Sequence, residues 1–184
     1  MGLPKVNSGF DAAAYLAWEE AQPERNEYIA GEVFAMVGVR QSHNVATLNL
    51  ATILRRELKG SPCRVFVESV KTRVEAADCF FYPDVAVTCD ARDRQPEASL
   101  AKQHPALIIE VLSDSTAAFD RGDKFAAYRR FTGLKTVLCQ VPMVSSMALA
   151  RVLTSWLCTV SGRMSRPTEL YRRPQAACAL EYAA

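Results

Sequence analysis

The sequence has only two histidines, His43 and His104, set far apart, and none of its six cysteines falls into a Cys-x-x-Cys pair. That scarcity argues against a structural zinc site, whose ligands come in closely spaced pairs. Charge of one sign is equally scarce. With 22 Lys and Arg against 20 Asp and Glu, the net charge of +2 is too small to attract a polyanion, so any nucleic-acid contact must come from local patches. There is no internal repeat, no low-complexity linker and no signal-peptide pattern at the N-terminus. The cysteines are therefore expected to be reduced thiols in a cytoplasmic protein. The uncharged run from Thr136 to Ala150 is interrupted by Gln140 and Pro142 and followed by Arg151, which makes it too short and too polar for a membrane span.

What is present suits one soluble domain. At 184 residues, 49% hydrophobic and 23% charged, the chain is long enough to bury a core without splitting. A first helix is predicted in "SGFDAAAYLAWEEAQPE", capped by Ser8 or Asp11 and stopped by Pro23. "RNEYIAGEVFAM" reads as two short strands joined at Ala30-Gly31. A second helix is predicted from a cap at Ser42, with Val45, Leu48, Ala51, Thr52 and Leu58 as its apolar stripe and Arg55, Arg56 and Lys59 near its C-terminal end. Strands follow in "CRVFVESVKTRVE" and "CFFYPDVAVTCD", separated by a turn at Ala76-Ala77-Asp78. Beyond the polar loop "ARDRQPEASLAKQ", "ALIIEVLS" reads as a strand. "DSTAAFDRGDKFAAYRRF" reads as a third helix capped by Asp114 or Ser115, and "TVLCQ" as a last strand. This order predicts an α/β or α+β fold with a mixed central sheet flanked by helices.

Two acids stand out because of where they sit. Glu110 lies inside the apolar strand "ALIIEVLS", on one face with Ile108 and Leu112. Asp84 follows Pro83 in "FFYPDVAV", where proline disfavours a regular ladder. A carboxylate held against apolar neighbours is costly unless paired or bound to a metal. If the two strands pair, the carboxylates meet side by side and repel unless a cation separates them. A hard divalent ion with oxygen ligands is the simplest occupant. The plainer alternative is that each acid meets an arginine, a lysine or an open sheet edge. Lys124, in the third helix, has a plain role too, an i,i+4 pair with Asp120 worth roughly 0.3–0.5 kcal/mol. Its functional role would be to reach back over the strand ends and orient a water.

In order, "YIAGEVFAM", "HN" before a helix, "FFYPDVAVTCD", "LIIEVLSDST" and "DRGDKFAAYRRF" resemble the Uma2-type family of the PD-(D/E)XK nuclease superfamily, over roughly residues 10–131. The resemblance implies a restriction-endonuclease-like core and a Mg²⁺- or Mn²⁺-dependent endonuclease acting on DNA. It implies Asp84, Glu110 and the backbone carbonyl of Val111 as metal ligands. The superfamily lysine position is occupied by Leu112, and the family pattern implies that Lys124 replaces it. The upstream acid of the Gly-Glu-Val segment matches Glu32. His43 also matches, but a lone histidine at a helix start is expected to be structural. Arg55, Arg56, Lys59, Lys71 and Arg73 are the candidate phosphate contacts, with a solvated helix face the plainer role of the first three. Nuclease domains of this class often pair as homodimers, and the oligomeric state stays open.

The tail departs from that pattern. Residues 1–131 hold 18 acids and 16 Lys or Arg, whereas residues 132–184 hold two acids and six Lys or Arg. The chain is thus expected to be a single nuclease-like domain over 1–184, with an atypical segment at 134–184 from a diverged C-terminus or a change of reading frame. Two other functions stay open from the sequence. One is a catalytically inactive nuclease fold that binds nucleic acid or a protein partner. The other is hydrolysis of a smaller phosphate ester.

Overall fold

The computed structural model describes residues 5–36, 38, 40–95, 101–112, 120–132, 134 and 136–139. The expected helix caps Asp114 and Ser115 lie outside these residues, as does most of the atypical tail. Among the described residues, no helix is long and apolar enough to cross a membrane.

Strand β1 (Lys5–Ser8) leads into helix α1 (Ala12–Glu19), which Asp11 caps by accepting the Ala14 N–H at 2.7 Å. Strands β2 (Asn26–Ile29) and β3 (Glu32–Ala35) form a hairpin. Its two-residue turn, Ala30-Gly31, has positive φ at both positions, +45° and +95°, which suits the right-handed strand twist.

Helix α2 (Gln41–Glu57) starts one residue before the expected cap, with Arg40 at the cap position and no side-chain cap bond. Its inward stripe also differs from the expected one. His43, Thr47, Leu50, Ala51 and Leu54 are buried, with Leu58 just past the end, whereas Val45 and Leu48 are exposed. The stripe is rotated because its N-terminal turn faces polar groups rather than the apolar core, so hydrophobicity alone misplaces it.

Strands β4 (Arg64–Val67), β5 (Lys71–Val74), β6 (Cys79–Phe81) and β7 (Val85–Thr88) follow. The short helix α3 (Ala91–Arg94) and strand β8 (Ala101–Lys102) fall in the stretch read as a loop. Strand β9 (Pro105–Glu110) is buried throughout. A π-helical turn (Asp120–Lys124) runs into helix α4 (Phe125–Tyr128), and β10 (Thr136–Cys139) closes the described chain.

The described strands form two sheets. One has the order β1-β3-β2-β6-β5-β8 and the other β10-β9-β7-β4. Both are mixed, since β10 runs parallel to β9 and β8 parallel to β5. The chain passes from one sheet to the other between β6 and β7, at Tyr82-Pro83-Asp84, where proline's missing N–H costs no ladder bond.

Leu50, Leu54 and Leu58 of α2 pack on Val85, Val87, Leu107 and Ile109. On the opposite face, Ile108 meets Phe81 and Tyr128. Each fully buried side chain of this kind contributes about 1.5–3 kcal/mol. The two layers clamp β7 and β9 between α2 and α4.

The expectation of reduced thiols is corrected for one pair. Cys63 and Cys89 form a disulfide, with Cα atoms 4.0 Å apart. The β4–β7 ladder pairs Arg64 with Thr88, so the next residues outward stand face to face. Sequence spacing carries no sign of that register. Cys79 is free and buried.

Candidate active site

The β7–β9 register pairs Val85 with Ile109, and one further step sets Asp84 opposite Glu110. The Asp84 N–H points to Glu110 Oε2 at 3.4 Å. Asp84 Oδ2 accepts the Val111 N–H at 2.6 Å, and its Oδ1 lies 2.8 Å from His43 Nε2. The two acids singled out by their apolar surroundings are therefore neighbours across one strand pair, at the seam between the sheets.

Glu110 is only 3% exposed. Its Oε1 accepts the Tyr128 hydroxyl at 2.6 Å and lies 3.0 Å from Lys124 Nζ. Lys124 also meets Glu27 Oε1 at 2.8 Å, and the Phe81 ring lies beneath its ammonium at 5.5 Å. Lys124 thus reaches back over the strands instead of lying along its own helix. Two carboxylates from different sheets share one buried ammonium, and each compensates a charge that would be expensive alone.

Glu27 went unrecognised in the sequence. It lies in β2 and is 2% exposed, and it accepts the Tyr82 N–H at 3.2 Å. Beneath it, Glu19 Oε1 accepts the Tyr82 hydroxyl at 2.8 Å and the Asn26 N–H at 2.9 Å. Burial, then Glu19, pushes the Tyr82 phenol far above its ordinary range, so it stays a hydrogen-bond donor. Glu32 stands apart from the cluster: it is exposed at the start of β3 and ion-paired with Lys5. The difference is position in the sheet. β2 lies between β3 and β6 with its first three residues buried, whereas Glu32 follows a surface turn.

His43, which the sequence reading treats as structural, touches Asp84 directly, and Glu68 joins them. Among the described residues, His43, Glu68 and Asp84 form a group whose potential ligand atoms all lie within 4.8 Å of one another. The signal for Glu68 is its place one residue beyond β4. The β4–β7 ladder pairs Val67 with Val85, so Glu68 faces Asp84, and its N–H donates to the Asp84 carbonyl at 3.2 Å. Three acids therefore stand in a row across β9, β7 and β4.

The basic candidates are spread over α2, the turn just after it and β5. Arg55, Arg56 and Lys59 are exposed near the end of α2, and Arg56 is paired with Glu57. Arg55 lines a cleft with Glu68 and Thr47. Lys71 lies over the Tyr82 ring at 5.8 Å and Arg73 over Phe80 at 5.6 Å.

Comparison with known proteins agrees with this architecture. The family model described as "Uma2: Putative restriction endonuclease" matches residues 12–176, beyond the span over which the motifs are traced. The uncharacterized protein slr1290 of Synechocystis is 40% identical over 114 residues, 62% of this chain and 59% of that protein. A second Synechocystis protein, sll1609, is 35% identical over 127 residues, 69% of this chain and 72% of its own length. This chain therefore spans less than two thirds of the first of these relatives. The crystal structure of a putative nuclease belonging to DUF820 from Anabaena variabilis superposes with a TM-score of 0.58 and 18% identity, covering 80% of this chain and 99% of that one. That likeness bears on the fold, which is nuclease-like and α+β.

Proposed function

The chain belongs to the Uma2 family of putative restriction endonucleases, and on that premise we propose that it is a divalent-metal-dependent endonuclease that hydrolyses DNA phosphodiester bonds. The observation that carries this reading is the pairing of Asp84 with Glu110 at the sheet seam, with Lys124 brought over them from α4's approach.

The donor set fits a hard divalent ion such as Mg²⁺ or Mn²⁺. Four carboxylates, from Glu27, Glu68, Asp84 and Glu110, surround one lysine and one histidine, so the cluster carries excess negative charge that a cation relieves. Asp84, Glu110 and the carbonyl of Val111 would hold the ion, an all-oxygen set of the kind Mg²⁺ prefers. When bound, such an ion supplies a Lewis acid for the scissile phosphate and lowers the pKa of water.

The chain's own residues divide the remaining work. Lys124 brings positive charge to the position where charge builds up on the phosphate. Glu27 anchors the Lys124 ammonium, and Tyr128 fixes the Glu110 carboxylate through its hydroxyl. His43 and the Val111 N–H orient the two oxygens of Asp84. Arg55, Arg56, Lys59, Lys71 and Arg73 are the proposed phosphate contacts, which would make DNA binding weaken steeply with salt.

The test is incubation of purified protein with supercoiled plasmid in Mg²⁺ or Mn²⁺ at low salt, beside Glu110→Ala and Lys124→Ala. Nicking by the wild-type protein that both variants and EDTA abolish is the expected result. Folded wild-type protein that binds plasmid without cutting it would overturn the enzymatic reading in favour of an inactive nuclease fold.

A further inference from the structure

We propose that His43, Glu68 and Asp84 form a second cation site, distinct from the Asp84–Glu110 pair, that takes a borderline first-row metal of the Zn²⁺ or Co²⁺ type in preference to Mg²⁺. It shares Asp84 with the catalytic reading above but does not depend on cleavage. Three observations carry it.

The first is geometric. One ligand atom from each of the three residues lies within 4.8 Å of the other two. A cation held at about 2.0–2.2 Å from nitrogen and oxygen ligands spaces them by up to roughly twice that length, so small side-chain adjustments close the site. The three residues come from separate elements that the fold holds firmly: the first turn of α2, the residue after β4 and the residue before β7.

The second is chemical. An imidazole beside two carboxylates is a mixed nitrogen and oxygen set, which suits borderline metals better than Mg²⁺ or Ca²⁺, whose preference is for oxygen alone. The Asp84–Glu110 side offers oxygen. Asp84, with an oxygen toward each neighbour, is the shared member.

The third is a pair of buried polar atoms with no partner in the protein. Glu68 Oε1 is shielded from solvent and accepts no hydrogen bond. Thr47, one helical turn beyond His43, is only 3% exposed, and its Oγ1 is likewise unpartnered. Both residues line the same cleft, with Asn44, Ala51 and Arg55. Buried polar atoms are nearly always satisfied. A cation on Glu68, carrying a water that hydrogen-bonds to the Thr47 hydroxyl, satisfies both.

The chain's two histidines give a direct readout. Full-length protein labelled with ¹⁵N-histidine is titrated with Zn²⁺, and the ring nitrogens of His43 and His104 are followed by NMR. The expected result is a saturable shift confined to His43, with the midpoint raised tenfold or more by Glu68→Gln, an isosteric change whose fold is checked by circular dichroism. Equilibrium dialysis with Zn²⁺ adds a count. Wild type is expected to bind one more ion than Glu68→Gln, while Glu110→Gln retains the ion on His43. An unmoved His43 signal at saturating Zn²⁺, or Zn²⁺ binding that Glu110→Gln abolishes and Glu68→Gln leaves intact, would overturn the proposal. Plasmid nicking is scored separately, so the nuclease reading and the second site can fail independently.

Discussion

Lys124 and Glu27, one at the end of the π-helical turn before α4 and the other in the second strand, meet at 2.8 Å with side chains 6% and 3% exposed. Their contact ties the six-stranded sheet to the C-terminal turn, and Glu110 on the four-stranded sheet completes the triad. Removing the ammonium leaves two buried carboxylates facing each other. Lys124→Met is therefore expected to destabilise the fold by about 3–5 kcal/mol, measured by urea denaturation. The double variant Lys124→Met, Glu27→Gln should recover part of that loss. Equal stability of wild type and Lys124→Met would show that the triad contributes nothing.

Glu27 and Glu32 lie in the same hairpin but should behave oppositely. Glu27→Gln removes the charge that anchors Lys124, so plasmid nicking is expected to fall by at least tenfold. Glu32→Gln alters an exposed pair with Lys5 and should change stability by no more than about 0.5 kcal/mol, with nicking unaffected. The reverse ranking in a nicking assay would return the site to Glu32.

How far the sequence revealed this site depended on what each residue's neighbours were. Glu110 and Asp84 were legible because a carboxylate inside an apolar strand is anomalous on its own. Lys124 was legible only through the family resemblance, since a lysine within a helix is otherwise unremarkable. Glu27 was hidden because its importance comes from β2 lying inside its sheet, a matter of long-range strand order that no local period records. Glu68 and the Cys63–Cys89 pair were hidden for the same reason, as both follow from the β4–β7 register. Among the elements, α1 and the hairpin read clearly from their cap and turn residues. The stripe of α2 did not, because its first turn is oriented by the contact of His43 with Asp84.

The disulfide closes a loop between positions 63 and 89. On chain-entropy grounds such a cross-link contributes about 3 kcal/mol. Reductant is therefore expected to lower the melting temperature by roughly 5–10 °C, and Cys89→Ser should show the lower value with or without reductant. A melting temperature indifferent to both would mean that the cross-link does not stabilise the fold.

Stability should decline in alkali. Burial, the main cause, pushes the Cys79 thiol from 9.0 to about 11 and the Tyr28 phenol from 10.0 to about 12. Both groups hold their protons longer in the folded state than in the unfolded one. Their contribution is fully present below pH 9 and is lost as pH rises, first through Cys79 and then through Tyr28. Urea midpoints should fall steadily above about pH 9, and Cys79→Ala should flatten the first part of that slope. A midpoint constant through this range would contradict the buried-thiol account.

The seam at Pro83 bears on the order in which the chain is made. Glu27, Asp84 and Glu110 all leave the ribosome before Lys124 does. A stalled or truncated product ending short of Lys124 holds three acids that converge only if the two sheets close, and no ammonium to set between them. Mutual repulsion then opposes that closure. Lys124 is thus the last charged member of the cluster to be synthesised, and its charge arrives only after all the acids are in place.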